Sequence, residues 1–127
     1  MDLIRDPAEA SGQLSVVVGD YYRYIDQRDI AAALACFSED AVYRRPGYRV
    51  LVGLPAINEF YRAERVISAG RHYLESIVED ADTVAARGSF SGTSHDGDPL
   101  EVRFADFWRF SSRVVVERNT YFDVAAV

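Results

Sequence analysis

The chain has 127 residues, of which 49% are hydrophobic and 27% charged, a composition typical of one globular domain with a single core. Its net charge of -6 disfavours nucleic acids and anionic membranes as partners, because both attract positively charged surfaces. All 14 basic residues are arginines, which excludes Schiff-base chemistry and every other lysine-dependent mechanism.

Signals for a metal, a membrane or secretion are lacking in the sequence. Cys36 is the single cysteine and has no set of Cys and His residues around it. The acidic start, 1–9, lacks the pattern of a signal peptide, and no apolar run approaches the roughly 20 residues of a membrane span. We therefore expect a cytoplasmic single domain, 1–127, with a loose lead-in over about 1–11 and no metal or cofactor.

The first half of the chain predicts three helices. The first begins at 11 or 12 and carries Tyr21 on its apolar stripe, at i, i+3, i+4 spacing. Asp29 is placed to cap a short second helix over 30–37. A third helix is expected to begin at Pro55 and run to about 68.

The remaining segments predict strands, which makes the fold α+β. Alternating residues, Pro-Gly at 46–47 and an Asp-Gly turn within 94–98 delimit strands at 41–45, 48–52, 72–79, 83–93 and 99–123. The last of these is a hairpin. Because the helices precede most of the strands, we expect a curved, mixed but mostly antiparallel sheet with the helices on its concave face.

The hairpin over 99–123 carries an acid on its apolar face. Alternation places Asp106 on the same side as Leu100, Val102, Phe104, Trp108 and Phe110. A carboxylate there must be hydrogen-bonded, ion-paired or protonated, because burying it bare is costly. Asp106 is thus either a structural acid satisfied by its neighbours or a pocket acid with a chemical role, and we favour the pocket acid.

Four motifs in this order resemble a known family. They are CFSEDAVY at 36–43, GLPAI at 53–57, FADFWRF at 104–110 and RNTYFD at 118–123. Together they resemble the SnoaL-like group of the nuclear-transport-factor-2-like superfamily. The resemblance implies a cone-shaped α+β barrel, three helices enclosing a pocket for an apolar small molecule, and a homodimer formed through the outer sheet face.

The resemblance also implies roles for particular residues. Tyr21 and Asp106 match the tyrosine and the protonated aspartic acid that form the oxyanion hole of ketosteroid isomerases. The general base of those enzymes falls on Arg45 here, and an arginine cannot abstract a proton at neutral pH. Any proton transfer in this chain therefore needs a different base.

The hairpin register decides which residue faces Asp106. A two-residue turn at 112–113 pairs Phe110 with Val115 and sets Asn119 opposite Asp106. A turn one residue longer sets Arg118 there instead. Strand periodicity mildly favours the longer turn and the family spacing the shorter. We predict the shorter.

Other residues complete the predicted site. His72 is the next proton carrier to consider, although a histidine at the start of a strand is also often structural. Arg45 or Arg65 is able to hold Asp106 ionised or to bind a carboxylate or enolate of the ligand. The expected wall residues are aromatic: Tyr24, Tyr61, Trp108 and Tyr121.

Two functions fit this pattern. The first is a small-molecule enzyme performing cofactor-free cyclisation, isomerisation or dehydration on an apolar oxygenated, polyketide- or steroid-like substrate, with Asp106 and Tyr21 central. The second is a non-catalytic binding protein for a hydrophobic metabolite.

We further expect desolvation to raise the pKa of Asp106, with Tyr21 and Asn119 as its neutral partners. We also expect Phe107 to contribute to the dimer interface.

Overall fold

The computed structural model describes residues 12–125, so the predicted lead-in over 1–11 lies outside the described residues. Two helices come first, α1 (Gln13–Asp26) and α2 (Ile30–Leu34). The Asp29 carboxylate accepts a hydrogen bond from the Ala32 amide at 3.1 Å, which is the predicted cap. A third helix, α3 (Leu54–Glu59), has proline in its first turn and continues into a single π-helical turn, Phe60–Glu64.

Within residues 12–125, six strands form one curved mixed sheet, as predicted. They are β1 (Phe37–Arg44), β2 (Leu51–Val52), β3 (Ile67–Asp80), β4 (Thr83–Ser94), β5 (Pro99–Ser111) and β6 (Val114–Phe122). Their order in the sheet is β2-β1-β6-β5-β4-β3. The β1 and β6 strands run parallel, and every other neighbouring pair is antiparallel. This α+β arrangement leaves a cone-like concave side against the helices.

Several element boundaries differ from those predicted. Strand β1 begins at Phe37, so the polar run 38–40 lies inside a strand rather than ending a helix. The third helix ends at Glu64 instead of 68. Residues 69–70, which separate the predicted third helix from the strand predicted at 72–79, belong to β3, where Gly70 passes so close to Phe90 that a Cβ would clash with that ring.

The β5–β6 hairpin has the predicted turn but not the predicted register. Ser112 and Arg113 form a two-residue turn with φ values of 50° and 67°, and Phe110 pairs with Val115 as predicted. A bulge follows directly, so that the next pair is Arg109 with Glu117. The extra residue reverses the facing of the rest of β6, because side chains alternate with a period of two.

The concave side holds the core, which is rich in aromatic residues. Tyr22, Tyr43, Phe60 and Trp108 are fully buried there, together with smaller apolar residues of α1 and the strands. On β5 the predicted alternation is confirmed, since Val102, Phe104, Asp106, Trp108 and Phe110 are buried. Within residues 12–125, no helix has the length and apolar character needed to cross a membrane.

Candidate functional site

A small cavity lies inside the cone between α1, the π-helical turn and the sheet. Its volume is about 20 Å³, room for about one water molecule. Polar groups are unusually frequent in its lining. The lining residues are Tyr21, Ile25, Arg45, Tyr61, Arg65, Ile67, His72, Phe90, Val102, Phe104, Asp106, Arg118, Thr120 and Phe122.

A buried ion pair joins Arg118 to Asp106 beside this cavity. Arg118 Nε lies 3.1 Å from Asp106 Oδ1 and Nη2 lies 2.9 Å from Oδ2, a two-point contact between guanidinium and carboxylate. The two residues are only 4% and 1% exposed. The guanidinium carbon also lies 4.4 Å from the ring centre of Trp108, so Arg118 is held by charge and by packing.

Two further hydrogen bonds complete the surroundings of Asp106. The Tyr22 hydroxyl donates to Oδ2 at 2.5 Å, and the Thr120 hydroxyl donates to Oδ1. Burial raises the pKa of Asp106, but the charge of Arg118 and these hydrogen bonds outweigh burial and leave the pKa below its ordinary value. The predicted rise in this pKa is therefore wrong: Asp106 is an ionised partner of Arg118.

Two tyrosine hydroxyls meet at the other end of Arg118. Arg118 Nη1 donates to Tyr21 Oη at 2.6 Å and to Tyr61 Oη at 3.0 Å, and the two phenols hydrogen-bond each other. Only one phenol can donate within that pair, so the proton of the other remains available to a cavity occupant. Both tyrosines line the cavity.

The two phenols differ in acidity. Burial raises the pKa of Tyr21 well above its ordinary value, against the charge of Arg118. Burial also raises the pKa of Tyr61, but the charges of Arg118, Arg65 and Arg45 outweigh this effect and lower it overall. The three guanidinium charges thus favour ionisation of Tyr61, which strengthens its hydroxyl as a hydrogen-bond donor.

His72 forms a second polar pair in the cavity wall. Its Nδ1 lies 2.6 Å from Asp26 Oδ1, and its backbone N–H donates to Asp26 Oδ2 at 2.9 Å. Burial lowers the pKa of His72, and the hydrogen bond and charge of Asp26 only partly oppose this. A neutral His72 keeps its proton on Nδ1, facing the carboxylate, which leaves Nε2 as a proton acceptor.

Two more arginines, Arg45 and Arg65, line the cavity. Arg45, in the position of the missing family base, is 8% exposed and donates from Nη1 to Tyr43 Oη at 2.7 Å. Its guanidinium lies 4.8 Å from the ring centre of Phe60. Arg65 directly follows the π-helical turn, and its guanidinium lies 5.4 Å from the ring centre of Tyr61. Both arginines contact aromatic rings, which shield them from water.

Some predicted site residues lie elsewhere. Asn119 and Tyr121 were expected to face the pocket, but the bulge in β6 turns both to the outer side of the sheet, and Tyr121 is 56% exposed. Tyr24 is stacked beside Arg23 and does not line the cavity. Trp108 is buried in the core and supports Arg118 from behind rather than lining the cavity.

Sequence reasoning missed several residues that complete the site. Tyr22 and Thr120 hold Asp106, and Tyr43 bridges Arg45 and Thr120. Asp26 had a signal that was available: a carboxylate in the last turn of α1 opposes the helix dipole, which indicates a specific partner. Thr120 and Tyr22 gave no such signal.

The comparison with family models gives one match. The model described as a SnoaL-like domain matches residues 18–118, which is most of the chain. The chain belongs to the SnoaL-like family. A comparison with functionally curated proteins found no match.

Solved structures of similar fold agree with membership of the SnoaL-like family. An NTF2-like protein of unknown function from Burkholderia pseudomallei superposes with a TM-score of 0.80 at 20% identity, over 89% of this chain and 92% of that one. TerC, co-crystallised with polyporic acid, gives 0.78 at 21% identity, over 88% and 92%. An epoxide hydrolase of the LEH-like type from M. tuberculosis gives 0.76 at 14% identity, over 87% and 83%. At these identities the likeness establishes the fold alone.

This SnoaL-like chain departs from the oxyanion hole implied by its resemblance to ketosteroid isomerases. That site needs a protonated acid beside a tyrosine. Here Arg118 lies between Asp106 and Tyr21 and bonds to both. In the described part of the chain, no three His, Cys, Asp or Glu side chains come together as metal ligands would. What the cavity offers is three guanidinium groups, two phenols and an imidazole.

Proposed function

We propose that the chain is a cofactor-free acid–base enzyme that isomerises, cyclises or dehydrates a small oxygenated organic substrate. In this proposal His72 takes a proton from carbon, and Tyr61 with Tyr21 and Arg118 stabilises the oxygen that becomes negative. Asp106 is a positioning residue that fixes Arg118.

The observation that supports this proposal most strongly is the contact of Arg118 with the phenols of Tyr21 and Tyr61, which also hydrogen-bond each other. Both phenol oxygens accept a hydrogen bond from Arg118, and one phenol donates to the other, so one O–H is left for a substrate oxygen in the cavity. Guanidinium charge raises the acidity of Tyr61, which strengthens a hydrogen bond to an enolate oxygen more than one to a ketone. The fixed donors thus favour the charged state of the reaction.

The proposed general base is His72. The carboxylate base of ketosteroid isomerases falls on Arg45 in this chain. Nε2 takes the proton from a carbon next to a carbonyl, the C–H electron pair forms a C=C bond, and the carbonyl π electrons move to oxygen. Returning the proton to another carbon completes an isomerisation, while attack of the enolate carbon on a second carbonyl begins a cyclisation. Asp26 holds the ring in orientation and stabilises the imidazolium that forms.

The relatives are consistent with this substrate class. TerC was crystallised with polyporic acid, and the M. tuberculosis relative is named an epoxide hydrolase. A putative hydroxylase from Streptomyces galilaeus also shares the fold, with a TM-score of 0.74 at 15% identity. These names concern those proteins, and they support an oxygenated carbon skeleton as the substrate proposed for this chain.

Binding without turnover is the second candidate. Its support is Arg45 in the position of the general base, because an arginine cannot abstract a proton at neutral pH. The cavity volume of about 20 Å³ does not separate the two candidates, since an organic ligand must displace side chains in either case.

Exchange of carbon-bound hydrogen in D₂O tests the proposed chemistry without knowledge of the product. A panel of hydroxylated aromatic ketones is incubated with the protein, and deuterium uptake next to the carbonyl is followed by NMR. We expect uptake for at least one ketone, a loss of about 10²-fold or more in His72→Gln, and a decline as pH falls below 6.5 into the range where His72 is protonated.

Exposed residues of the same type supply the controls. His95→Gln and Tyr121→Phe change a histidine and a tyrosine outside the cavity and should leave the exchange rate unchanged, whereas Tyr61→Phe should slow it. Exchange that persists in His72→Gln would contradict the proposed base. Binding of ketones without exchange of any of them would favour the second candidate.

We also propose the homodimer expected from the sequence. Phe107 and Tyr121 pack edge to face on the outer side of the sheet, with ring centres 5.9 Å apart, and Phe107 is 46% exposed. Light scattering should give twice the chain mass for the wild type and the monomer mass for Phe107→Ser. A monomeric wild type at micromolar concentration would rule the dimer out.

A further inference from the structure

Positive charge dominates the wall of the cavity. Among the described residues that line it, Arg45, Arg65 and Arg118 carry guanidinium groups, and Asp106 is the one carboxylate. His72 adds no charge when neutral. The whole chain carries -6, so this concentration of positive charge is a local feature rather than a general one.

Arg118 forms an ion pair with Asp106, whereas Arg65 has a donor without an acceptor among the described residues. Its Nε is buried, and no residue within 12–125 accepts a hydrogen bond from it. Burial lowers the pKa of Arg65, and the positive charge of Arg45 lowers it further. A buried donor without an acceptor is uncommon in folded proteins and calls for a specific cause.

An anion between Arg65 and Arg45 would supply that cause. It would accept the Nε hydrogen of Arg65 and would reduce the repulsion between the two guanidinium groups. The planar guanidinium offers two parallel donors that match the two oxygens of a carboxylate. The rings of Tyr61 and Phe60 beside these arginines would contact the carbon skeleton that carries such a group.

We propose that Arg65, with Arg45 beside it, binds a carboxylate group of the substrate. This inference rests on the proposed function, and it narrows the substrate to an oxygenated carboxylic acid whose carbonyl oxygen reaches Tyr61 and Arg118. The carboxylate would be held by Arg65 and Arg45 and the reacting carbonyl by Tyr61 and Arg118, after side chains move to enlarge the cavity. Arg65 can move to admit it without losing a hydrogen bond from Nε, since Nε has none within the described residues.

Two isosteric probes test this proposal. Sodium benzoate and benzamide have the same shape and differ in charge, and their binding can be measured by NMR titration of the full chain. We expect benzoate to bind at least about tenfold more tightly than benzamide. Arg65→Gln should abolish most of that preference. Arg65→Lys should keep part of it, because lysine retains the positive charge but lacks the two parallel N–H donors of arginine.

Arg62→Gln is the matched control, since Arg62 lies on the same segment but is exposed and does not line the cavity. It should leave benzoate affinity unchanged. Unfolding midpoints of the three variants establish that each is folded. Equal affinity for the two probes, no saturable benzoate binding, or equal weakening by Arg62→Gln and Arg65→Gln would overturn the carboxylate site.

The measurement separates this inference from the proposed function, because it detects binding and needs no turnover. Benzoate binding through Arg65 without any deuterium exchange would support the carboxylate site and contradict the proposed enzyme activity. Deuterium exchange of neutral ketones without a preference for benzoate would support the enzyme activity and contradict the carboxylate site.

Discussion

Arg118 and Arg65 lie in the wall of one cavity, yet their surroundings differ. Arg118 makes a two-point contact with a carboxylate and donates to two phenols. Arg65 has a buried Nε with no acceptor in the described part of the chain. The charge of Asp106 raises the pKa of Arg118 against burial, whereas burial lowers that of Arg65.

The difference distinguishes an arginine that stabilises the fold from one that is suited to bind a ligand. A charge with all its partners in place is part of the scaffold, because its desolvation is offset within the chain. A buried donor that lacks an acceptor lowers the stability of the empty protein, and a complementary ligand restores that stability when it binds. The four variants below test this contrast.

Removal of Arg118 should have the largest effect. Arg118→Met leaves Asp106 buried without its counter-ion, and we expect the free energy of unfolding to fall by about 3–5 kcal/mol. Urea denaturation followed by circular dichroism measures the loss. Adding Asp106→Asn to Arg118→Met should recover part of it, and an equally unstable double variant would show that the carboxylate is not the cause.

Removal of the Tyr22 hydroxyl should have the next largest effect. Tyr22→Phe deletes the hydrogen bond to an ionised carboxylate and a longer one, at 3.3 Å, that the hydroxyl accepts from Trp108 Nε1, and we expect a loss of about 1.5–3 kcal/mol in the same denaturation experiment. Tyr121→Phe removes a hydroxyl from an exposed tyrosine and should change little. Similar losses in both variants would argue against an ionised Asp106.

The pH dependence of stability tests the charge of Asp106 directly. A folded-state pKa below the ordinary value of 3.8 means that the contribution of Asp106 is fully present above that value and is lost as pH falls through the folded-state pKa. The stability advantage of wild type over Asp106→Asn should therefore shrink as pH falls below about 4. An advantage for wild type that grows on acidification would indicate the protonated acid expected from the sequence.

Removal of Arg65 should have the smallest effect on stability. Arg65→Met replaces a largely buried charge by an apolar side chain of similar length, so we expect the free energy of unfolding to stay the same or to rise by up to about 1 kcal/mol. A loss as large as that of Arg118→Met would remove the contrast between the two arginines.

Much of the fold follows from local patterns in the sequence. Alternation along β5 placed Asp106 on the buried face, and the two-residue turn at Ser112 and Arg113 was predicted with its flanking pair of Phe110 and Val115. The cap of α2 by Asp29 was predicted as well. Each of these depends on interactions between residues close in sequence, which a pattern reports directly.

The charge of the site did not follow from such patterns. One extra residue in β6, after Val115, exchanged Asn119 for Arg118 and Thr120 on the inner face, and with that the expected neutral partner of Asp106 became a cation. A bulge of this kind is favoured by packing across the sheet rather than by the composition of the strand itself. The pairing of His72 with Asp26 likewise joins α1 to β3 and has no short-range signal beyond the position of Asp26.

The parallel pairing of β1 with β6 also bears on how the chain folds. It joins Val42 to Glu117, so one side of the sheet is completed only when the last strand docks against the first. Contacts between such distant segments make folding slow relative to a helical protein of equal size. The bonds of Asp106 to Arg118 and Thr120 lie within the β5–β6 hairpin and need only the local pairing of these two strands. The rate of folding should therefore depend on the docking of β6 against β1 more than on the ionisation of Asp106.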